Sequence, residues 1–197
     1  DYLIQHTLIT WHGKNGHFEL ATNLGGCAEG DYRKKYLLFQ EMAVNDALAA
    51  GISAPTPHEG ISRLLARVGK ILEAEKVCIF EEQGDGTVKN TYEWCAPGIE
   101  PSKDTMQHVP MELVRPIYDR FGPDQIAIID NVEAVQKEYG ISSETYRPGL
   151  KRLISGHLVI GGLSLGYTEV VNPSEKIMKE ASPLLDTLTR FAASLIR

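Results

Sequence analysis

The sequence is poor in cysteine, and what it has is unpatterned: Cys27, Cys78 and Cys95 are an odd number without CxxC spacing in 197 residues. Neither a disulfide framework nor a structural zinc site is indicated, and a reducing cytoplasmic setting is expected. Surplus positive charge is also missing, since 20 Lys and Arg stand against 26 Asp and Glu for a net charge of -6. The footprint of nucleic-acid binding is therefore absent, and no nucleic acid is expected as a partner. No run approaches the ~20 apolar residues of a membrane span, and no basic amphipathic helix suggests direct membrane contact. The histidines, His6, His12, His17, His58, His108 and His157, form no HExxH or other close ligand pair, so there is no metal signature. The glycines of "QGDGT" and "VIGGLSLG" fit no Walker or dinucleotide fingerprint and read as turns. An initiating methionine is absent too: "DYLIQHTLIT" opens inside a strand-like pattern, as expected of a piece cut from a longer protein.

What is present suits a folded domain. Hydrophobic residues make up 43 % of the chain, and a domain of ~150 residues hides roughly 70 % of its unfolded surface. "TLITWHGKNGHFELATNL" predicts a β-hairpin turning near Asn15-Gly16, with Phe18, Leu20, Thr22 and Leu24 on one face. "GDYRKKYLLFQEMAVNDALAAG" predicts a helix capped by Asp31 and stopped at Gly51, with Tyr32, Phe39, Met42 and Leu48 available for packing. "APTPHE" then marks a boundary. Beyond it Ile61, Leu64, Leu65, Val68, Ile71 and Leu72 follow the spacing of a core-facing helix.

"VCIFEE" and "VKNTYEWC" flank Asp85-Gly86 as a second hairpin. "PMELVRPIYDRF" predicts a helix started at Pro110 and shortened by Pro116, and "IAIID" a buried strand. Two more strands surround Gly161-Gly162, and "SEKIMKEASPLLDTLTRFAASLI" reads as a helix with an irregularity at Pro183. Hairpin-connected strands with covering helices predict an α+β fold around a mainly antiparallel sheet.

The run "GISRLLARVGKILEAEKVCIFE", "DGTVKNTYEWC", "IAIID" and "LGYTEVVNPSEKIMKEASPLLDTLTRFAASLI" resembles a GAF domain, the small-molecule sensor module of bacterial signalling proteins. The likeness is to those preceding GGDEF or EAL output modules. The opening hairpin is similar to the last strands of a PAS domain, with "LATNLGG" where such domains commonly read "TDIT". The expected organisation is a PAS-like hairpin over 1–24, a connector over 25–57 and a GAF-like sensor over 58–197. The resemblance implies helices on both sides of the sheet and a non-enzymatic sensor that dimerises through its terminal helices. Its ligand, if any, is an unidentified small molecule, and its output would be cyclic-di-GMP synthesis or degradation by a domain outside this chain. In GAF domains the cavity lies on the sheet face away from the terminal helices, which projects onto Tyr92 or Trp94, His108, Tyr118, Ile129 and His157.

Other chemistry is weaker. Cys95 could attack with Glu93 as base, since alternation puts both on one face, but a reactive thiol needs neighbouring positive charge and this neighbour is an acid. A GAF-type free methionine sulfoxide reductase is the enzymatic alternative, and a structural dimerisation spacer the third. Bilin-binding GAF domains typically attach the pigment at a Cys followed by His, a dipeptide absent here, and the cyclic-nucleotide signature of other GAF domains is not recognisable either.

Overall fold

The computed structural model describes the backbone of residues 2–11, 14–23, 30–142, 147, 149–178 and 181–196, and side chains from residue 41 onward within that set. Cys27, the "GG" at 25–26, and the side chains of Asp31, Tyr32 and Phe39 lie outside the described residues.

Strands β1 (Tyr2–Trp11) and β2 (Lys14–Asn23) pair antiparallel with Trp11 opposite Lys14. Asn15 and Gly16 therefore sit within β2, opposite Thr10 and Ile9, and do not form the turn expected from their identity. Helix α1 (Gly30–Ile52) runs through Gly51 instead of stopping there. It packs on the next helices with its small residues: Ala43 and Ala47 are buried, while Met42 is 39 % exposed. Gly51 leaves room for Phe191 and for the backbone of Gly60.

Helix α2 (Pro57–Ile71) starts on a capping arrangement within "TPHE", where Glu59 N donates to Thr56 Oγ1 at 3.2 Å and Pro57 opens the first turn. Six strands follow in one antiparallel sheet: β3 (Lys76–Glu82), β4 (Thr87–Cys95), β5 (Val109–Pro110), β6 (Ile126–Ile129), β7 (Leu153–Ile160) and β8 (Leu163–Val171), ordered β5-β4-β3-β8-β7-β6. Gly161 (φ 59°) and Gly162 (φ 81°) make the tight turn between β7 and β8, a pair of left-handed positions that glycine adopts without penalty. Helices α3 (Met111–Tyr118) and α4 (Val132–Glu138) come between strands. The final segment divides into α5 (Glu175–Met178) and α6 (Ser182–Ile196), with Pro183 in the first turn of α6, where its missing N–H costs nothing.

The sheet separates two cores. On one face Ile61, Leu64, Leu65 and Val68 of α2 with Leu72 just after it, Leu184, Leu185 and Leu188 of α6, and Ala47 of α1 cover Val77, Ile79, Ile154 and Val170. On the other, Val114 and Ile117 of α3 and Val132 of α4 cover Cys78, Phe80, Val88, Ile129, Leu153 and Tyr167. Helices thus lie on both sides of an antiparallel sheet, the α+β class expected.

A bulge in β4 decides which residues meet which core. Ile79 pairs with Tyr92 but Phe80 pairs with Asn90, leaving Thr91 as the extra residue. Strict alternation would group Val88 and Asn90 with Tyr92 and Trp94; the bulge moves the first two to the opposite face.

Candidate functional site

A cavity of about 730 Å³ opens on the face away from α1, α2 and α6. That volume falls within the range of small-molecule sites, roughly 300–1,000 Å³. Ile99, Met106, Val109, Leu113 and Leu150 supply much of its apolar lining. Its walls are a loop at residues 98–106 and a second segment at Arg147, Gly149 and Leu150, and the dipeptide Glu75-Lys76 at the start of β3 stands between them.

Glu93 holds the first wall. Its carboxylate accepts from Ser102 Oγ (2.7 Å), Ser102 N (2.9 Å) and Lys103 N (3.0 Å). Burial alone would push the Glu93 carboxyl up, but the bonds from Ser102 and Lys103 together with the charge of Lys76 outweigh it and hold it below the ordinary value. Lys76 Nζ in turn donates to Ser102 Oγ at 3.1 Å.

Asn172 holds the second wall. Its Oδ1 accepts from Lys151 N (2.8 Å) and Arg152 N (3.0 Å), while Nδ2 donates to Glu75 Oε2 (2.7 Å) and Gly149 O (2.9 Å). All four bonding positions of the amide are used. Asn172 adopts φ 48°, a left-handed conformation that asparagine tolerates better than most residues.

Between the walls stands a buried ion pair. Arg147 Nη1 donates to Glu169 Oε2 at 2.7 Å and Nη2 donates to Oε1, a bidentate contact between side chains 8 % and 0 % exposed. The guanidinium also lies 5.9 Å from the centre of the Phe80 ring. Arg147 lines the main cavity and a second, tiny one of about 30 Å³ beneath α3 and α4.

Of the residues expected to line the site, His108 does so. Ile129 lines the small cavity. Tyr118 and His157 lie on the same sheet face but toward the Glu82 end of β3, in a cluster of their own. There Tyr118 Oη donates to Glu82 Oε1 at 2.9 Å, Ser164 Oγ also donates to Glu82, and His157 contacts Ser164 Oγ (2.9 Å) and Gln125 Oε1 (2.8 Å). The His157 ring stacks on Phe121 at 4.6 Å. Burial pushes the Tyr118 hydroxyl pKa up, reinforced by the Glu82 charge, and pushes His157 down, against the opposing pull of Glu82.

Tyr92 and Trp94 are elsewhere. Both pack against the helix-side core, Trp94 directly over Gly69 of α2, where a side-chain carbon would overlap its ring, and Tyr92 with its ring 5.1 Å from that of His58. The β4 residues on the opposite face, that of the second core, are Val88, Asn90 and Glu93, because Asn90 pairs with Phe80 and Glu93 with Cys78.

The thiols are poorly placed for nucleophilic work. Burial pushes Cys78 well up, and the charges of Glu169 and Glu93 add to it against Arg147. Cys95 is raised by burial and by Glu93. Both shifts disfavour thiolate.

Sequence reasoning missed Lys76, Arg147, Glu169 and Asn172. Asn172 alone carried a signal, as the Asn of the "NP" that ends the closing strand.

No protein-family model and no curated protein matches the chain. Solved structures do. The chromophore-binding domain of a Stigmatella aurantiaca bacteriophytochrome aligns over 97 % of this chain and 73 % of its own, at 14 % identity and a TM-score of 0.65. The GAF domain of an Acinetobacter phosphoenolpyruvate-protein phosphotransferase aligns over 80 % and 92 %, at 15 % identity and 0.58. A methyl-accepting chemotaxis protein segment aligns over 80 % and 94 %, at 16 % identity and 0.55. The fold is that of a GAF domain.

Proposed function

We propose that this chain is a non-enzymatic sensory module that binds a small molecule between the two clamped loops and passes its occupancy to the terminal helices. The observation that carries this reading is where the clamps are anchored. Glu75 follows α2 by four residues and Asn172 precedes α5 by three, and the two segments are joined by Ser174 N donating to Leu72 O at 3.0 Å. A ligand that draws the walls together therefore acts on residues continuous with α2 and α5. Signalling of this kind requires the ligand to bind two arrangements with different affinity.

Further parts of the reading rest on the sequence resemblance: dimerisation through α1 and α6, an amino-terminal hairpin left from a PAS domain, and control of a cyclic-di-GMP synthesis or degradation domain. Structural neighbours from signalling proteins support the general sensory role. Among the described residues, no helix is long and apolar enough to cross a membrane.

The test is a thermal-shift screen of a metabolite library against the wild type and Leu113→Trp, whose larger side chain would take up part of the cavity beside its apolar lining. A compound that raises Tm in the wild type and fails in the variant supports the reading. Hits that stabilise both proteins equally, or a screen without hits, would count against it. Light scattering at high concentration checks the dimer, and a strictly monomeric species would remove that part.

A further inference from the structure

The cations that line the cavity already have carboxylate partners, and that restricts what can enter. Two cations contribute to its lining away from the rim, Lys76 and Arg147. Arg147 is engaged by the fully buried Glu169 through both carboxylate oxygens. Lys76 donates to Ser102 Oγ, which donates to Glu93, so its charge is linked to that carboxylate through one hydroxyl. Both cations are thus matched by the carboxylates of Glu93 and Glu169, and among the described residues no positive charge is left over. At the mouth, the exposed charged side chains among the described lining residues are Glu75 and Glu100, both acidic.

We propose that the cavity takes an uncharged ligand with an apolar body and one or two neutral hydrogen-bonding groups, and discriminates against phosphates, sulfonates and carboxylates. This rests on the cavity being the ligand site, as argued above. For an anion to gain a full ionic contact it must draw Arg147 from Glu169 or Lys76 from the Ser102–Glu93 linkage. Either leaves a carboxylate in a poorly hydrated place without its cation, and such an orphaned charge costs more than a new pair of similar geometry returns. The carboxylates at the mouth add repulsion to the approach. A neutral ligand disturbs neither pair. It buries its body against Ile99, Met106, Val109, Leu113 and Leu150, and its carbonyl or hydroxyl can accept from Lys76, whose ammonium carries three donors.

The experiment uses two probes that differ in charge and little else, 2-naphthamide and 2-naphthoate, titrated calorimetrically into the full chain at pH 7.5. The amide is expected to bind at least tenfold more tightly, with Leu113→Trp weakening its binding. In Glu169→Gln, which frees Arg147 from its carboxylate, the preference should move at least tenfold toward naphthoate. Glu93→Gln, at the more accessible pair, should move it the same way and serves if Glu169→Gln fails to fold. Naphthoate binding the wild type as tightly as the amide, or no change of preference in a folded charge variant, would overturn the proposal while leaving the sensory reading intact. If neither probe binds the wild type, the proposal falls, and the sensory reading stands or falls with the metabolite screen.

Discussion

Replacing Arg147 with Ala should be among the most damaging single changes in this protein. The guanidinium bonds both oxygens of Glu169, a carboxylate with 0 % exposure in the second half of β8. Removing one partner of a buried pair costs about 3–5 kcal/mol, because the remaining charge keeps its desolvation penalty and loses its compensation. Against a total stability of ~5–15 kcal/mol, that is a large share. For a chain of this length each kcal/mol corresponds to roughly 2–4 °C, so Tm should fall by about 6–20 °C. Arg147→Lys should lie between, since an ammonium cannot reproduce a two-point contact with a carboxylate. The informative comparison is the double variant Arg147→Met with Glu169→Leu, which removes both charges and keeps most of the volume. Such replacements are often neutral, or stabilising by about 1–4 kcal/mol. Urea unfolding of the wild type, Arg147→Met, Glu169→Leu and the double variant, followed by circular dichroism, gives all four corners of the cycle. If the single variant loses less than about 1 kcal/mol, or the double variant is as unstable as Arg147→Ala, then the orphaned charge is not the source of the loss.

Three smaller perturbations test other contacts. Gly69→Ala should destabilise by about 1–3 kcal/mol, the usual cost of overpacking, because the new methyl overlaps Trp94; pairing it with Trp94→Leu should recover part of the loss in the same melt. The Glu93 carboxyl is held below its ordinary value, so its contribution is present above the unfolded pKa of ~4.3 and is lost as pH falls through the lower folded value. Glu93→Gln should therefore flatten the acid limb of Tm against pH, and an unchanged limb would refute the clamp. His157 is lowered by burial, so the folded state favours the neutral ring and stability declines as pH drops below ~6.5 toward the folded value. Its imidazole proton resonances should titrate below that reference and lower still in Glu82→Gln, since Glu82 pulls the pKa up; a midpoint at or above ~6.5 would contradict the placement.

The fold was largely legible because its elements announce themselves locally. The period of Ile61, Leu64, Leu65 and Val68, the Gly161-Gly162 turn and the alternation of β7 and β8 each depend on neighbours in sequence. The hairpin at the start shows the limit of such signals: Asn-Gly favours a two-residue turn, yet register set across ten-residue strands puts Asn15 and Gly16 inside β2. The site was less legible. Alternation correctly separated Tyr92 and Trp94 from Glu93, but which set faced the helices depends on Trp94 finding the gap above Gly69, twenty-five residues away. The bulge at Thr91, which carries Asn90 to the cavity side, has no glycine or proline to mark it. Arg147 reads as a surface cation in an apparent loop, and only the position of Glu169 on the cavity face of β8 gives it a partner.

The same residues explain why a cavity of this size can exist in a stable domain. A void lined only by apolar groups tends to close, because its lining forfeits dispersion contacts on one side. Here the loops that would have to collapse are held by hydrogen bonds that collapse would break: those from Ser102 and Lys103 to Glu93, and those between Asn172 and Gly149, Lys151 and Arg152. Glu75 and Lys76 are adjacent in sequence and bond opposite walls, through Asn172 and Ser102 respectively. Any relative movement of the walls must therefore strain or rotate this dipeptide, which enters β3 directly from the end of α2. Asn172 leads into α5 through Pro173, whose fixed φ leaves little slack between wall and helix. The polar clamps thus keep the cavity open and make the junction of α2 with α5 the place where a change in wall spacing must be felt.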